Sequence, residues 1–405
     1  MPPDGGSPGG KGKGSALRLA TRATQVTPSA TIGLTKKAAA LRAEGVDLIA
    51  FTAGEPNFDT PEAIKAAAIQ AIQAGDTKYV PKGGAALKDA IAAWTNRTRG
   101  TSYAPAQVLV SCGAKHSISN AALALLEEGD EAILPAPYWL TYPETVKLAG
   151  ATPVAVDASP AQGFVPDPDD IRAALTDRTR MIILNSPSNP TGAVYPAEVI
   201  HAIADIAREA DLWVLTDEIY DELVYEGSEF VSILSAGADM VERCIVINGA
   251  SKTYAMTGWR IGWTLGPAPV IKAMGALQSH LTSDPTSFCQ TATVAAFEGA
   301  QEEVKAMRAA FQRRRGVMME AMRSLDKAVT PLPGGAFYVF PDVSAYIHDK
   351  GFSGSLEMAE WLLEHAKVVV VPGEPFGNDS CIRLSFAVSD ENIERGVERI
   401  AQALA

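Results

Sequence analysis

Apolar residues along this chain follow two rhythms. Short runs without alternation, "QVLVS", "EAILPA", "RMIILN", "LWVLTD" and "RCIVIN", read as strands buried on both faces. Between them lie segments with helical spacing: "TPEAIKAAAIQAIQAG", with Pro61 near its first turn and Gly75 at its end, "GAKHSISNAALALLEEGD", and "PAEVIHAIADIAREA", where Val199, Ile203, Ile206 and Ala210 recur on one face. Strands apolar on both sides and separated by helices predict a mostly parallel sheet covered by helices, an α/β fold. Near residue 300 the rhythm changes. A long charged helix, "GAQEEVKAMRAAFQRRRGVMMEAMRSL", precedes short strands in "GGAFYVFPDV", "KVVVVPG" and "CIRLSFAVS", which predicts a smaller α+β domain. Ahead of the sheet, Ile32, Leu34, Ala38 and Leu41 mark one side of a helix, and "VDLIAFTAGEP" reads as a strand running into a turn. The expected layout is a tail over 1–15, an N-terminal segment over 16–50 packing with the small domain, a large domain over 51–300 and the small domain over 301–405. No repeat of fixed period is visible.

Composition narrows the class. A chain of 405 residues favours two domains. Its 47% hydrophobic and 20% charged residues are near the globular average, and no apolar run approaches the roughly eighteen residues of a membrane span. The net charge of −12 argues against a nucleic-acid surface, so an acidic substrate would need a local basic pocket. Cys112, Cys244, Cys289 and Cys381 are far apart and form no metal-like spacing, which predicts free thiols in a reducing compartment. The start "MPPDGGSPGGKGKGS" reads as a disordered tail rather than a signal or transit segment, and a cytoplasmic location follows. The five histidines show no ligand spacing, so no metal is expected.

In open parallel sheets ligands collect beyond the carboxyl ends of the strands, and polar clusters fall at such ends here: "SCGAKHS", "NSPSNPTG", "TDEIY" and "NGASK". Gly113 and Ala114 lead from strand into helix, where backbone N–H groups can hold a phosphate or merely make a connection. Asp217 ends an apolar strand as a helix cap or as the partner of a protonated ring nitrogen. Asn189 is a turn residue or a donor, and Tyr220 a structural tyrosine or a site group. Lys252 among small residues is the sharpest feature: a desolvated lysine flanked by cations loses its proton and can bond an aldehyde. Arg260 is an ion-pair residue or a forked anion donor.

Together, "PSAT", "AGEP", "TKY", "PAPYW", "PSNPTGAVYP", "DEIY", "SKTYAMTGWRIG", "GGAFYVF" and "IRLSFA" resemble, from about Ser15 to the C-terminus, the fold-type I pyridoxal-phosphate aminotransferases. The likeness is to the branch of bacterial aspartate and prephenate aminotransferases. It implies that Lys252 binds pyridoxal 5′-phosphate covalently and carries the proton. Arg260, the Gly113–Ala114 turn, Ser251 and, in a homodimer, Tyr79 of the neighbouring copy would hold the phosphate. Asp217 would pair with the ring nitrogen, Asn189 and Tyr220 would donate to the ring 3-oxygen, and Trp139 would stack over the ring.

For the substrate, the resemblance implies Arg383 and the backbone at Gly54 for the α-carboxylate. Lys115, Ser29 and Thr31 match positions associated with dicarboxylic substrates. This chain departs from the better-known branch twice: it has no motif for an arginine from the other subunit, and Gly249 stands where a phosphate-binding serine is common. The expected reaction is amino transfer from L-aspartate to 2-oxoglutarate in two half-reactions, with prephenate as the alternative acceptor. A cofactor-binding regulator, a lyase and a decarboxylase remain competing readings. His116 is expected to face outward.

Overall fold

The computed structural model describes residues 19–20, 23–24, 26, 31–80 and 84–405. The tail expected over 1–15 lies outside them, as do Ser29 and the side chains of Thr31 and Ile32.

A seven-stranded sheet forms the larger layer, in the order β2 (Val108–Ser111), β8 (Gly262–Leu265), β7 (Cys244–Gly249), β6 (Trp213–Asp217), β5 (Thr179–Asn185), β3 (Glu131–Ala136) and β4 (Thr152–Asp157). Every pairing from β7 to β4 is parallel, and β8 runs antiparallel between β2 and β7. Alternate side chains enter different cores because successive residues of a strand face opposite ways. Val108, Val110, Ile182, Leu184, Val214 and Val246 join one core, while Leu109, Met181, Ile183, Leu215, Ile245 and Ile247 join the other. That double burial is why these strands read as unbroken apolar runs. β8 was not legible: its four residues follow the turn at 257–260 almost directly, and it is their pairing with β2 and β7 that makes them a strand.

The helix Ala197–Glu209 buries Ile200, Ile203, Ala204, Ile206 and Ala207. Ala210, expected on that face, is exposed, because it lies past the last turn as the C-cap. The long helix, Gln301–Met322, buries Val304, Met307, Phe311, Met318 and Met322 along one stripe.

A further core unites distant parts of the chain. Leu34, Ala38, Ile49 and Phe51 pack with Met307, Phe311, Val368, Leu384 and Ile400. β1 (Ile49–Ala50) pairs in parallel with β10 (Val368–Val369), and β9 (Tyr338–Val339), β12 (Ile382–Ser385) and β11 (Val371–Pro372) form a small antiparallel sheet. Ile219, Tyr220 and Leu223, just after β6, belong to this core too. The ends of β5, β6 and β7 therefore open onto a cleft whose opposite wall comes from residues 52–55 and the small sheet.

Candidate active site

The cleft has a volume of about 530 Å³. It gathers Gly54, Ala114, Lys115, Trp139, Asn189 and Asp217, together with Tyr220, Ser251, Lys252, Arg260 and Arg383. Tyr79 stands away from it, 87% exposed on the surface of this chain.

Asp217 closes the floor. Its carboxylate is buried and accepts hydrogen bonds from the Tyr142 hydroxyl at 2.8 Å and the Ile219 N–H at 3.2 Å. Burial pushes its acid up to about 6 against those bonds, which favour the ion. Asn185 Nδ2 donates to the Asp217 carbonyl at 2.9 Å and Asn185 Oδ1 accepts from the Asn189 N–H at 2.8 Å, so β5 and β6 set each other's ends.

Lys252 sits on a short helix, Ala250–Thr253, that follows β7 directly. Its ammonium donates to the Gly54 carbonyl. Desolvation lowers it to about 8; Arg383 and Arg260 act in the same direction, and Glu55 and Asp217 oppose them. At neutral pH about a tenth of it is therefore neutral, against under about a thousandth for an ordinary lysine, which suits a nucleophile and proton acceptor.

Arg260 adopts a left-handed backbone, φ 58°, and donates from Nη1 to the Thr257 carbonyl at 2.7 Å. Its guanidinium lies against Gly113, where an added Cβ would stand 2.4 Å from Nη2 and φ is +85°. Only glycine lets the helix Ala114–Leu125 begin so close to that cation. Among the described residues no side chain caps this helix at Gly113, which leaves its first N–H groups facing an anion-suited corner. A Cβ on Gly249 would meet the Ile261 carbonyl at 3.0 Å and Ile219 Cδ1 at 3.2 Å, so a serine there is crowded.

Arg383 is buried, donates to Asn189 Oδ1 at 2.9 Å and to the Thr52 carbonyl at 3.3 Å, and lies over the rings of Tyr338 and Phe376 at 4.5 and 5.1 Å. Its Nε is buried without a partner among the described residues. Lys115 is exposed at the edge of the cleft, its Nζ 4.8 Å over the Trp139 ring, and partial desolvation there, then Arg260, lowers its ammonium. His116 is half-buried rather than outward-facing: its Nδ1 accepts from the Cys112 N–H at 3.3 Å, and it does not line the cleft.

Sequence reasoning missed Tyr142, Tyr338, Glu55 and Thr257. Tyr338 shares a 2.9 Å hydrogen bond with the Tyr220 hydroxyl, and Thr257 donates to Glu55 at 2.6 Å, tying the 52–55 loop to the segment between Lys252 and Arg260. The one available signal was position: Tyr338, Glu55 and Thr257 lie inside "GGAFYVF", "AGEP" and "SKTYAMTGWRIG", and Tyr142 lies three residues past the end of "PAPYW".

A lysine, a buried acid and two arginines around one cleft at parallel strand ends narrow the family, and the sequence model of the class I and II aminotransferases matches residues 46–400. This chain belongs to that family. An aspartate aminotransferase of Geobacillus stearothermophilus is 44% identical over 385 residues, 95% of this chain and 98% of that protein. An aspartate/prephenate aminotransferase of Thermus thermophilus is 45% identical over 391 residues, again 95% and 98%. Among solved structures, Thermus thermophilus aspartate aminotransferase with maleate superposes with a TM-score of 0.89 at 43% identity, covering 96% of this chain and all of that one. Rhizobium meliloti aspartate aminotransferase gives 0.92 at 38% identity, covering 96% and 99%. As a member of the family, this aminotransferase uses pyridoxal phosphate.

Proposed function

We propose that this aminotransferase moves the amino group of L-aspartate to 2-oxoglutarate, releasing oxaloacetate and L-glutamate. The observation that carries the reading is a pair of cations, Arg383 and Lys115, on the same cleft as Lys252. A substrate with two carboxylates gives each cation a counter-charge. A methyl group or bare ring would give the Lys115 ammonium, exposed on the cleft wall and repelled by Arg260, no counter-charge.

The residues present fit pyridoxal phosphate. Asp217 is buried and its hydrogen-bond donors are neutral, with Lys252 acting only at a distance, so a protonated ring nitrogen would give it a cation in direct contact. In this reading Lys252 would hold the cofactor covalently. Arg260, Ser251 and the Gly113–Ala114 helix start would hold its phosphate, joined by Tyr79 of a second copy. Trp139 would cover the ring. Asn189 commits its oxygen to Arg383 and would donate from its NH2 to the ring 3-oxygen, as would the Tyr220 hydroxyl. When bound, the cofactor supplies an electron sink that acidifies the hydrogen on the substrate's Cα.

The chain's own residues do the rest. Arg383 offers forked donors to the α-carboxylate beside the Gly54 backbone, and Lys115 takes the distal carboxylate, aided by Ser29 and Thr31. With both ends fixed, the Cα hydrogen is directed at Lys252 Nζ, which accepts the proton in its neutral form and later returns it. The N-terminal segment closing over the cleft would exclude water and strengthen the ion pairs.

Exposed Ile69 and Ile72, on the helix Glu62–Gln73 shortly before exposed Tyr79, support a homodimer. The free cysteines support a cytoplasmic location, and the separate core that gathers Met307, Phe311, Met358, Leu384 and Ile400 supports two domains. Among the described residues, no helix is long and apolar enough to cross a membrane.

Prephenate is the second acceptor considered, because the Thermus thermophilus relative carries that substrate in its name and the same Lys115 would meet its second carboxylate. The test is to mix cofactor-loaded enzyme with L-aspartate or L-arogenate, without acceptor, and measure the oxo acid released per site. Stoichiometric oxaloacetate supports the first reading. Prephenate alone moves the enzyme to the second, and release of neither overturns both.

A further inference from the structure

Next to the cleft, a buried charged cluster is used by none of the roles above. Asp217, Ile219 and Tyr220 line the cleft, whereas Glu218 and Asp221 on the same turn engage Arg99, the last residue of the helix Ala85–Arg99. The Arg99 guanidinium lies 5.2 Å from the Trp94 ring centre and 4.6 Å from that of Phe230. It donates to Asp221 Oδ2 at 2.5 Å and to Glu218 Oε2 at 3.5 Å, and Ser232 Oγ donates to Glu218 Oε1 at 2.6 Å. Asp221 Oδ2 also accepts from Asn248 Nδ2 at 2.9 Å, and Asn248 Oδ1 accepts from the Gly249 N–H at 2.7 Å. A continuous chain of bonds thus runs from Arg99 through Asp221 and Asn248 to the backbone that leads into Lys252.

The place of this chain in the sheet gives it consequence. The β6–β7 ladder ends at Asp217 opposite Ile247, with the Glu218 N–H bonding the Ile247 carbonyl at 2.9 Å as its last backbone link. On its other side β7 stays paired with β8 as far as Gly249 opposite Gly262. Past Ile247, the segment bearing Lys252 has lost backbone pairing to the segment bearing Asp217 and Tyr220. The Asn248–Asp221 contact bridges the two at that point. It is buried, so its bonds are not weakened by competing water.

We propose that Asn248 and Asp221 are positioning residues: anchored by Arg99, they clamp the end of β7 to the turn after β6 and so set Lys252 against Asp217 and Tyr220. The inference rests on the reading of those three residues as cofactor contacts. Neither clamp residue lines the cleft, and each acts through a neighbour that does.

The experiment compares Asn248→Ala, Asp221→Ala and Asp221→Asn in the cofactor-loaded enzyme, reading kcat, KM and the pH midpoint at which the bound cofactor's absorbance titrates. The alanine variants are expected to lower kcat about 10- to 100-fold with KM changed by less than about threefold. Their absorbance midpoint is expected to move by about half a unit or more, since the neighbours of Lys252 shift. Asp221→Asn keeps an oxygen for Arg99 and Asn248 and is expected to restore both readouts. Wild-type kcat and midpoint in Asn248→Ala, or an Asp221→Asn as impaired as Asp221→Ala, overturns the proposal. Should the alanine variants fail to fold, Asn248→Asp keeps the size and the acceptor for Gly249 but removes the donor to Asp221. It is expected to show the same shift and loss, and wild-type behaviour overturns the clamp. The titration needs no substrate, so an enzyme that transaminates neither proposed substrate still reports on the clamp. If borohydride fixes no cofactor on Lys252, it is the reading of the site that fails.

Discussion

The Tyr142 hydroxyl lies 2.8 Å from Asp217 Oδ2 and donates to it, at the bottom of a cleft where both residues are buried. This bond opposes the desolvation that holds the Asp217 acid at about 6. Tyr142→Phe therefore raises that acid further. A hydrogen bond to a charged group is worth about 1.5–3 kcal/mol, which corresponds to about one to two pH units. Cofactor affinity of the apoenzyme, requiring the carboxylate, is present above the Asp217 value and lost as pH falls through it. The acid limb of a plot of affinity against pH is expected to move upward by that amount in the variant, and fluorescence titration of the apoenzyme checks it.

The same acid carries a stability cost. A carboxyl raised from 3.8 to about 6 in the fold binds its proton more tightly than in the unfolded chain. Its contribution therefore favours the apoenzyme at low pH and weakens as pH rises from the unfolded to the folded value. Asp217→Asn removes the buried charge, and cofactor-free enzyme at pH above about 7 is expected to gain roughly 1–3 kcal/mol while losing turnover. Denaturant melts of both apo forms, at pH 5 and pH 8, measure it; equal stability at pH 8 would sink the idea.

Lys252→Ala is expected to abolish multiple turnover and covalent capture of the cofactor. Borohydride treatment followed by peptide mass analysis should place the cofactor on Lys252 in the wild type and nowhere in the variant. Because burial lowers this ammonium to about 8, the capture rate of the wild-type apoenzyme should rise with pH and level off above that value.

Lys115→Ala is expected to lower kcat/KM for aspartate by about 2–4 kcal/mol, with little change for a neutral amino acid such as alanine. Steady-state rates with both donors decide it. Equal losses on both would assign Lys115 to holding the cleft, where its ammonium covers Trp139, rather than to the distal carboxylate.

What the sequence alone determined is the set of elements and the chemistry at their ends. Apolar runs of β5, β6 and β7 could be read because both faces of each strand are buried, and the polar residues at or shortly after their ends, Asp217 at the end of β6 and Asn189 and Lys252 just beyond β5 and β7, stood out against that background. Their roles came from resemblance, since a single acid or lysine has several local readings. Tertiary structure decided what depends on residues far apart in sequence. The strand β8 was invisible because its pairing, not its composition, makes it a strand. Tyr142 reaches Asp217, Tyr338 reaches Tyr220, and Arg99 reaches Asp221 across 75, 118 and 122 positions of chain. Hydrogen bonds of that kind leave no periodicity, because they follow from how helices and loops are folded back over the sheet. The environment that lowers Lys252 and raises Asp217 is likewise a property of burial, which no local stretch of residues carries.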